Sequence, residues 1–147
     1  MANKIFRKII STPNAPAAIG PYSQAVLVNT TLYLSGQIGL DPKTGVFVSD
    51  NVDDQARQSL INLGAVLEAA GTSFDKVVKT TVLFADLNDF ESVNAIYATY
   101  FKDKQPARAA FQATKLPKGA KVEIEAVAVV GEIIDESKER LMINSCL

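Results

Sequence analysis

Hydrophobic and polar positions change their period several times along the chain, and each change marks an element. Apolar residues recur every three or four positions over residues 51–70 and 86–101, which predicts two amphipathic helices. Runs rich in Val, Ile, Leu and Thr predict strands over residues 4–10, 24–29, 31–39, 76–84, 106–113 and 121–130. The order β-ββ-α-β-α-ββ predicts an α+β domain, with two helices packed on one face of a mostly antiparallel sheet.

The first predicted helix has boundary signals at both ends. Asp50 or Asn51 can cap its N-terminus, and Gly71 can end it in the left-handed conformation that closes many helices. Its apolar stripe consists of Ala56, Leu60, Leu63, Leu67 and Ala70.

The strand predicted over residues 31–39 contains a glycine. Strict alternation would place Gly36 and Ser35 on opposite faces. The face of Gly36 would carry Leu32, Leu34 and Ile38. A glycine inside a strand often marks a bulge or the close approach of a ligand.

The last two predicted strands, joined by a Pro/Gly turn, contain the most informative charges. Arg108 lies among alanines, and Glu123 and Glu125 share a face that becomes apolar at Val127 and Val129. A buried carboxylate needs a partner, and the arginine of the neighbouring strand is the obvious candidate. Spacing alone favours an ion pair at a subunit contact. The alternative is that Arg108 and Glu123 converge on a cavity that binds and protonates a small anion.

The sheet face that two helices cannot cover is also apolar, with Tyr33, Val127 and Val129 on it. Exposing this area to water would be unfavourable by roughly 25 cal/mol per Å². Large apolar patches usually mark an interface, so the pattern predicts a homo-oligomer packed through its sheets. Such a contact would bury Arg108 and Glu123 in a cleft between subunits.

Two other polar residues are weaker candidates. Residues 11–22 contain three prolines and Gly20, which predicts a loop that ends at Tyr22. Tyrosines at such positions usually pack, so a ligand role for Tyr22 is the alternative interpretation. Asn94 lies beside the stripe of the second helix, where a solvated or capping role is the simplest interpretation.

Composition narrows the chemistry further. The 147 residues are 48% hydrophobic with a net charge of −1, which suits one domain and disfavours a nucleic-acid surface. No apolar run approaches the roughly 20 residues of a membrane helix. The chain has no histidine, and its one cysteine is Cys146, which excludes Ser-His and Cys-His catalysis and histidine metal sites. A cytoplasmic protein is expected, with a mitochondrial location as the alternative because no acidic residue precedes Asp41.

These residues together resemble a known family. From about residue 13 to residue 130 the chain resembles the Rid (YjgF-type) reactive-intermediate deaminases. The matching stretches include Gly20-Pro-Tyr22-Ser-Gln, Leu34-Ser-Gly-Gln-Ile38, Asp86-Leu-Asn-Asp-Phe90, Val93-Asn94, Pro106-Ala-Arg108 and Val122-Glu-Ile-Glu-Ala-Val-Ala128. The resemblance defines a domain over residues 1–131 and leaves residues 132–147 as a C-terminal extension, for which a short amphipathic helix or a loose tail is predicted.

The resemblance implies a chorismate-mutase-like fold and a homotrimer with active sites at the subunit contacts. The implied activity is hydrolysis of 2-imino acids such as 2-iminobutanoate and 2-iminopropanoate, or their enamine tautomers, to 2-keto acids and ammonia, without metal or cofactor. Arg108 would hold the substrate carboxylate, and Glu123 would position the attacking water and transfer protons. The pocket would be lined by Tyr22, Ser35, Gly36, Asn94 and the backbone of Ala110.

One departure from the family pattern and two alternative functions accompany this resemblance. Many members have cysteine where this chain has Ala110, so thiol chemistry is not expected here. A ribonuclease or translation-inhibitor activity, a label attached to some members, is disfavoured by the neutral charge and the absent histidine. A non-catalytic module that binds small carboxylates or client proteins is disfavoured by Glu123, because a carboxylate binder would avoid a second negative charge.

Overall fold

The computed structural model describes residues 4–136 and confirms the predicted order of elements. The strands are β1 (Arg7–Ile10), β2 (Ala25–Val28), β3 (Thr31–Gln37), β4 (Val77–Phe84), β5 (Ala107–Gln112) and β6 (Val122–Val129), and the helices are α1 (Val52–Ala69) and α2 (Phe90–Tyr100). Within the described residues the strands form one sheet in the order β1-β2-β3-β6-β4-β5. All neighbours are antiparallel except the parallel pair β4–β5.

Helix α1 begins and ends where its sequence signals predict. The Asn51 side chain accepts hydrogen bonds from the backbone N–H groups of Asp53 at 2.8 Å and Asp54 at 3.3 Å. At the other end Gly71 has a φ of +81°, which glycine adopts without steric cost. The predicted stripe is buried from Ala56 to Leu67, together with Val66, and Ala70 at its end is partly buried.

The hydrophobic core lies between the two helices and one face of the sheet. Its fully buried members include Leu32, Leu60, Leu63, Phe84, Val93, Val122 and Ile124. Alternation along β6 therefore places Val122, Ile124, Ala126 and Ala128 on the helix-covered face. Neither α1 nor α2, the helices of residues 4–136, is long and apolar enough to cross a bilayer.

The alternation expected along β3 fails after Leu34. The register between β3 and β6 shifts between Leu34 and Gln37, and Gln37 then pairs with Ile124 and is only 5% exposed. The predicted side of Gly36 is therefore wrong, because the bulge moves this glycine to the open face, against the side chain of Glu123.

The strands that carry Arg108 and Glu123 are not neighbours, so that prediction is also wrong. Strand β4 lies between β5 and β6 and pairs with both. The physical reason is the crossover: α2 carries the chain back over the sheet, and β5 joins the edge parallel to β4. The residues between β5 and β6 then return the chain to the centre of the sheet.

The second face of the sheet is left open within the described chain and is largely apolar, as predicted. Tyr33, which pairs with Val127, is 53% exposed, and Ile9 and Phe111 are also exposed. Leu83 lies on this face, whereas a register shift leaves Val77 buried at 3% exposure. Of the extension, residues 132–136 are described, and Asp135 pairs with Lys104. Most of the predicted helix or tail, together with Cys146, falls on residues 137–147, outside the described residues.

Candidate active site

A cavity of about 710 Å³ opens where β3 ends and β6 begins, on the open side of the sheet. One wall is the loop over residues 11–22, which contributes Pro16, Ala17, Ile19 and Tyr22. Opposite it lies the turn that contains Lys118, and the floor includes the β3 bulge and Glu123. The candidate residues Tyr22, Ser35, Gly36 and Glu123 therefore meet in one cavity of a single chain.

Glu123 is the half-buried acid of this cavity. Burial raises the pKa of its carboxyl, and the negative charge of Glu125 raises that pKa further. Within residues 4–136 its carboxylate forms no ion pair. An acid in this environment can exchange protons with a bound molecule nearer to neutral pH than an exposed glutamate can.

Gly36 is required by the position of that carboxyl group. A Cβ atom at this position would lie 2.0 Å from Oε1 of Glu123, 2.8 Å from its Cδ and 2.9 Å from its Cγ. The bulge thus places bare backbone against the acid, which leaves room for the carboxyl group.

Ser35 and Tyr22 line the same cavity in different ways. The Ser35 hydroxyl donates to the carbonyl of Ser23 at 2.6 Å, which ties β3 to the end of the loop. The Tyr22 hydroxyl accepts a hydrogen bond from the Ile19 backbone at 3.4 Å, and its side chain is 52% exposed. Its exposure at the cavity wall leaves the phenol ring accessible to a bound molecule.

Arg108, Asn94 and Ala110 form a second group, around a shallow depression between α2 and β5. The guanidinium of Arg108 lies over the rings of Tyr97, at 4.8 Å, and Phe90, at 5.6 Å. Its Nη1 donates to Oδ1 of Asn94 at 2.7 Å. These contacts hold the planar fork in one orientation, and a fork so held suits bidentate binding of a carboxylate.

Tyr97 supports this guanidinium from below. Its hydroxyl shares a 2.7 Å hydrogen bond with Thr80, a fully buried residue that pairs with Arg108 in the register of β4 and β5. Burial raises the pKa of Tyr97, while the Thr80 hydrogen bond and the charge of Arg108 act in the opposite direction.

The two groups lie on opposite faces of the sheet. Arg108 shares the helix-covered face with Thr80, whereas Glu123 pairs with Leu83 on the open face. A single chain therefore brings Tyr22, Ser35, Gly36 and Glu123 together, and separately Asn94, Arg108 and Ala110. Within one chain, Arg108 and Glu123 do not meet.

Three buried amides that sequence reasoning missed hold the walls of the cavity. Gln24 binds the loop backbone, Gln55 accepts from the Lys121 N–H at 2.9 Å, and Asn62 donates to the carbonyls of Ile38 and Leu40 at 3.1 and 2.9 Å. The sequence contains one signal for two of them. Gln55 and Asn62 are each next to a residue of the apolar stripe of α1, a position at which an amide side chain is not expected to be solvated.

Comparison with known proteins adds three findings. Residues 12–130 match the family model described as Endoribonuclease L-PSP. A Mus musculus protein named 2-iminobutanoate/2-iminopropanoate deaminase is 60% identical over 132 residues, which cover 90% of this chain and 98% of that protein. A crystal structure of a Rid family protein from Yersinia pestis is 51% identical with a TM-score of 0.83, covering 85% of this chain and all of that one.

A further solved structure contains a bound molecule. The crystal structure of E. coli TdcF with bound serine is 45% identical, with a TM-score of 0.81, and covers 84% of this chain and 99% of that one. The similarity thus spans nearly the whole length of each of these three proteins.

Proposed function

The chain belongs to the endoribonuclease L-PSP family, which includes the Rid proteins, and we propose that it is a deaminase of small 2-imino acids. Its substrates would be 2-iminobutanoate and 2-iminopropanoate, or their enamine tautomers, and its products 2-keto acids and ammonia. The observation that carries this proposal is the half-buried Glu123 carboxyl with its raised pKa, held against bare backbone at Gly36. The name of the mouse relative supports the choice of substrate.

We further propose that each complete site combines two protomers of a homotrimer. The carboxylate-binding group around Arg108 and the proton-transferring group around Glu123 lie on opposite faces of one sheet, so one chain cannot bring both to one substrate. Packing of the open apolar face against a neighbouring chain would bury that face. It would also allow the Arg108 edge of one protomer to close the Glu123 cavity of the next.

In this site, Arg108 would bind the substrate carboxylate through its guanidinium, with Asn94 fixing the fork. Tyr22 and Ser35 would line the substrate pocket, and the carbonyl of Ala110 would accept a hydrogen bond from the N–H of the imine. A free positive charge on Arg108 would lower the pKa of the Glu123 carboxyl. Because the substrate carboxylate would neutralise that charge, the pKa of Glu123 would stay suited to proton transfer.

The reaction then needs only water and one carboxylate. Glu123 takes a proton from a water molecule while the water oxygen attacks C2 and the C–N π electrons move to the nitrogen. The carboxyl gives this proton to the nitrogen, which yields a neutral carbinolamine. The Glu123 carboxylate then takes the hydroxyl proton and passes it to the nitrogen as the C–O double bond forms and the C–N bond breaks, so that the nitrogen leaves as ammonia. The imine carbon is already electrophilic, so this chemistry does not need a histidine.

The activity is tested by generating 2-iminobutanoate from threonine with a dehydratase in the presence of semicarbazide. We expect less semicarbazone to accumulate when this protein is added, because the imine is hydrolysed before it is trapped. A matched incubation with bovine serum albumin controls for non-specific protein. An unchanged rate of semicarbazone formation would refute the deaminase proposal.

The shared site is tested by mixing two inactive variants, Arg108→Ala and Glu123→Gln, and allowing their subunits to exchange. Mixed oligomers would contain some sites with Arg108 from one chain and Glu123 from another, so activity should return. Each variant taken alone through the same exchange is the control. A mixture as inactive as its components, although its subunits have exchanged, would refute the shared site.

The endoribonuclease of the family's description is the alternative activity. Its substrate is a polyanion, whereas this chain has a net charge of −1 and its cavity contains both Glu123 and Glu125. Incubation with single-stranded RNA tests this alternative, and we expect the RNA to remain intact. The cytoplasmic location stays a prediction.

A further inference from the structure

The side chain of Gln24 makes an unusual number of hydrogen bonds to the loop that forms one wall of the cavity. Among residues 4–136, the hydrogen bonds that link residues 12–22 to the rest of the chain all end on the carboxamide of Gln24. Its Oε1 accepts from the Thr12 N–H at 2.7 Å, and its Nε2 donates to the carbonyls of Thr12 at 3.0 Å, Ala15 at 3.3 Å and Pro16 at 2.9 Å. Gln24 itself is 4% exposed.

The same residue is also joined to the floor of the cavity. The backbone carbonyl of Gln24 accepts from the Ser35 N–H at 3.0 Å, next to the bulge at Gly36. Gln24 therefore connects the loop that contains Tyr22 with the backbone that contacts the Glu123 carboxyl. Displacement of its side chain would change the distance between the loop and the floor of the cavity.

Few other contacts hold the loop, apart from the hydrogen bond of the Ser35 hydroxyl to Ser23 directly after it. Ala15 packs into the core, but Ile19 and Tyr22 at the far end are exposed. The remaining hydrogen bonds of the loop, such as that from Tyr22 N–H to the Gly20 carbonyl, stay within it. A carboxamide is suited to this task because it offers one acceptor and two donors on the same planar group.

We propose that Gln24 is a positioning residue for the imine deaminase reaction: its carboxamide sets the loop over residues 12–22, and with it Tyr22, at a fixed distance from Glu123. The inference rests on the proposed function of the cavity. Gln24 does not touch substrate in this scheme, and it acts on substrate binding through the loop.

The first test is Gln24→Met, which keeps the length of the side chain and removes all its donors and acceptors. We expect KM for 2-iminobutanoate to rise by about tenfold, equivalent to about 1.4 kcal/mol, with a much smaller change in kcat. Amide hydrogen exchange of residues 12–22 should become faster than in the parent protein. A parental KM with parental exchange in the loop would overturn the proposal.

The matched control is Thr72→Val. The Thr72 hydroxyl donates to the Val129 carbonyl at 2.7 Å and takes no part in the cavity. Its removal costs one hydrogen bond of the fold, so it should lower the unfolding midpoint and leave KM unchanged. If both variants lose stability equally and neither changes KM, Gln24 has only a structural role.

The second variant, Gln24→Glu, decides the question if the methionine variant does not fold. A protonated carboxyl can still donate one hydrogen bond to the loop, whereas an ionised one would face the three carbonyls with no proton to donate. The ratio of variant to parent KM should therefore rise as pH rises through the pKa of the new carboxyl. A ratio that stays at one across the pH range would overturn the proposal. If the parent protein is active in the semicarbazide assay, this outcome overturns only the role of Gln24 and leaves the deaminase function standing.

Discussion

Gly36 is the residue at which the site tolerates least change. An added Cβ would overlap the carboxyl of Glu123, so Gly36→Ala must displace the proposed proton-transfer group. We expect kcat/KM to fall by about a hundredfold, the scale expected for misplacing a reacting group by 1 Å. The far-ultraviolet circular dichroism should be unchanged, because the clash is local.

The control for Gly36→Ala is Gly71→Ala. Gly71 has a φ of +81° and no neighbouring atom within 4 Å of an added Cβ, so alanine there would strain the end of α1 without touching the cavity. This variant should lose stability and keep its activity. An alanine at position 36 that leaves kcat/KM unchanged would mean that Glu123 does not take part in the reaction.

The charge of Glu125 gives a second prediction at the same scale. Glu125 raises the pKa of Glu123 because ionising one carboxyl beside another is unfavourable. As a general base, Glu123 loses activity as pH falls through its pKa, so removing the neighbouring charge should move this acidic limb to lower pH. The measurement is the pH profile of kcat/KM for Glu125→Gln.

Glu68→Gln is the matched control, since Glu68 is exposed on α1 and outside the cavity. It removes one negative charge from the protein without changing the surroundings of Glu123. Its pH profile should equal that of the parent. An acidic limb that moves to higher pH in Glu125→Gln would contradict the assigned cause of the raised pKa.

At the scale of elements, helix α1 supports the cavity through a buried amide. Asn62 is fully buried and donates to the carbonyls of Ile38 and Leu40, which follow β3 and line the cavity. Asn62→Leu would leave these buried acceptors without their donors, so the free energy of unfolding should fall by about 1–3 kcal/mol. Urea denaturation followed by circular dichroism measures this change.

Gln58→Leu provides the comparison within the same helix. Gln58 donates to Oδ1 of Asn62 at 2.9 Å from a less buried position, so its removal disturbs the Asn62 side chain without touching β3. The loss of stability should be clearly smaller than that for Asn62→Leu. Equal losses would show that the contacts to residues 38 and 40 contribute little.

At the scale of the whole molecule, the prediction concerns the open sheet face, through which the protomers are proposed to associate. Val127 lies at the centre of this face, paired with Tyr33 on one side and Lys79 on the other. In the proposed trimer, Val127→Asp would place a second carboxylate close to Glu125 in the contact, and removing these charges and that of Lys79 from water would disfavour association. The protomers should dissociate and lose activity together, as measured by sedimentation velocity beside the semicarbazide assay.

Ile61→Asp separates the interface from a general effect of surface charge. Ile61 is an exposed apolar residue on α1, on the side of the molecule away from the open face. Its variant should keep the sedimentation coefficient and activity of the parent. A well-folded, fully active monomer of Val127→Asp would refute the shared-site model.

The sequence by itself determined the features that depend only on residues close together along the chain. Local periodicity and caps predicted both helices, with Asn51 and Gly71 at the ends of α1. They also predicted the order of the strands along the chain and the apolar character of the open face. The motifs around Tyr22, Ser35, Gly36, Asn94, Arg108 and Glu123 were sufficient to indicate the family, because each is a short contiguous stretch.

Only the tertiary structure decided which of these stretches meet. Local pattern does not specify that β4 separates β5 from β6, because strand order in a sheet depends on crossover through α2 and on contacts distant in sequence. Local pattern also does not locate the β3 bulge, because the position of the bulge is set by the pairing of β3 with β6. The one extra residue in the bulge moves every later side chain of β3 to the other face of the sheet. For these two reasons Arg108 and Glu123 lie on opposite faces of the sheet, while Gly36 lies against Glu123.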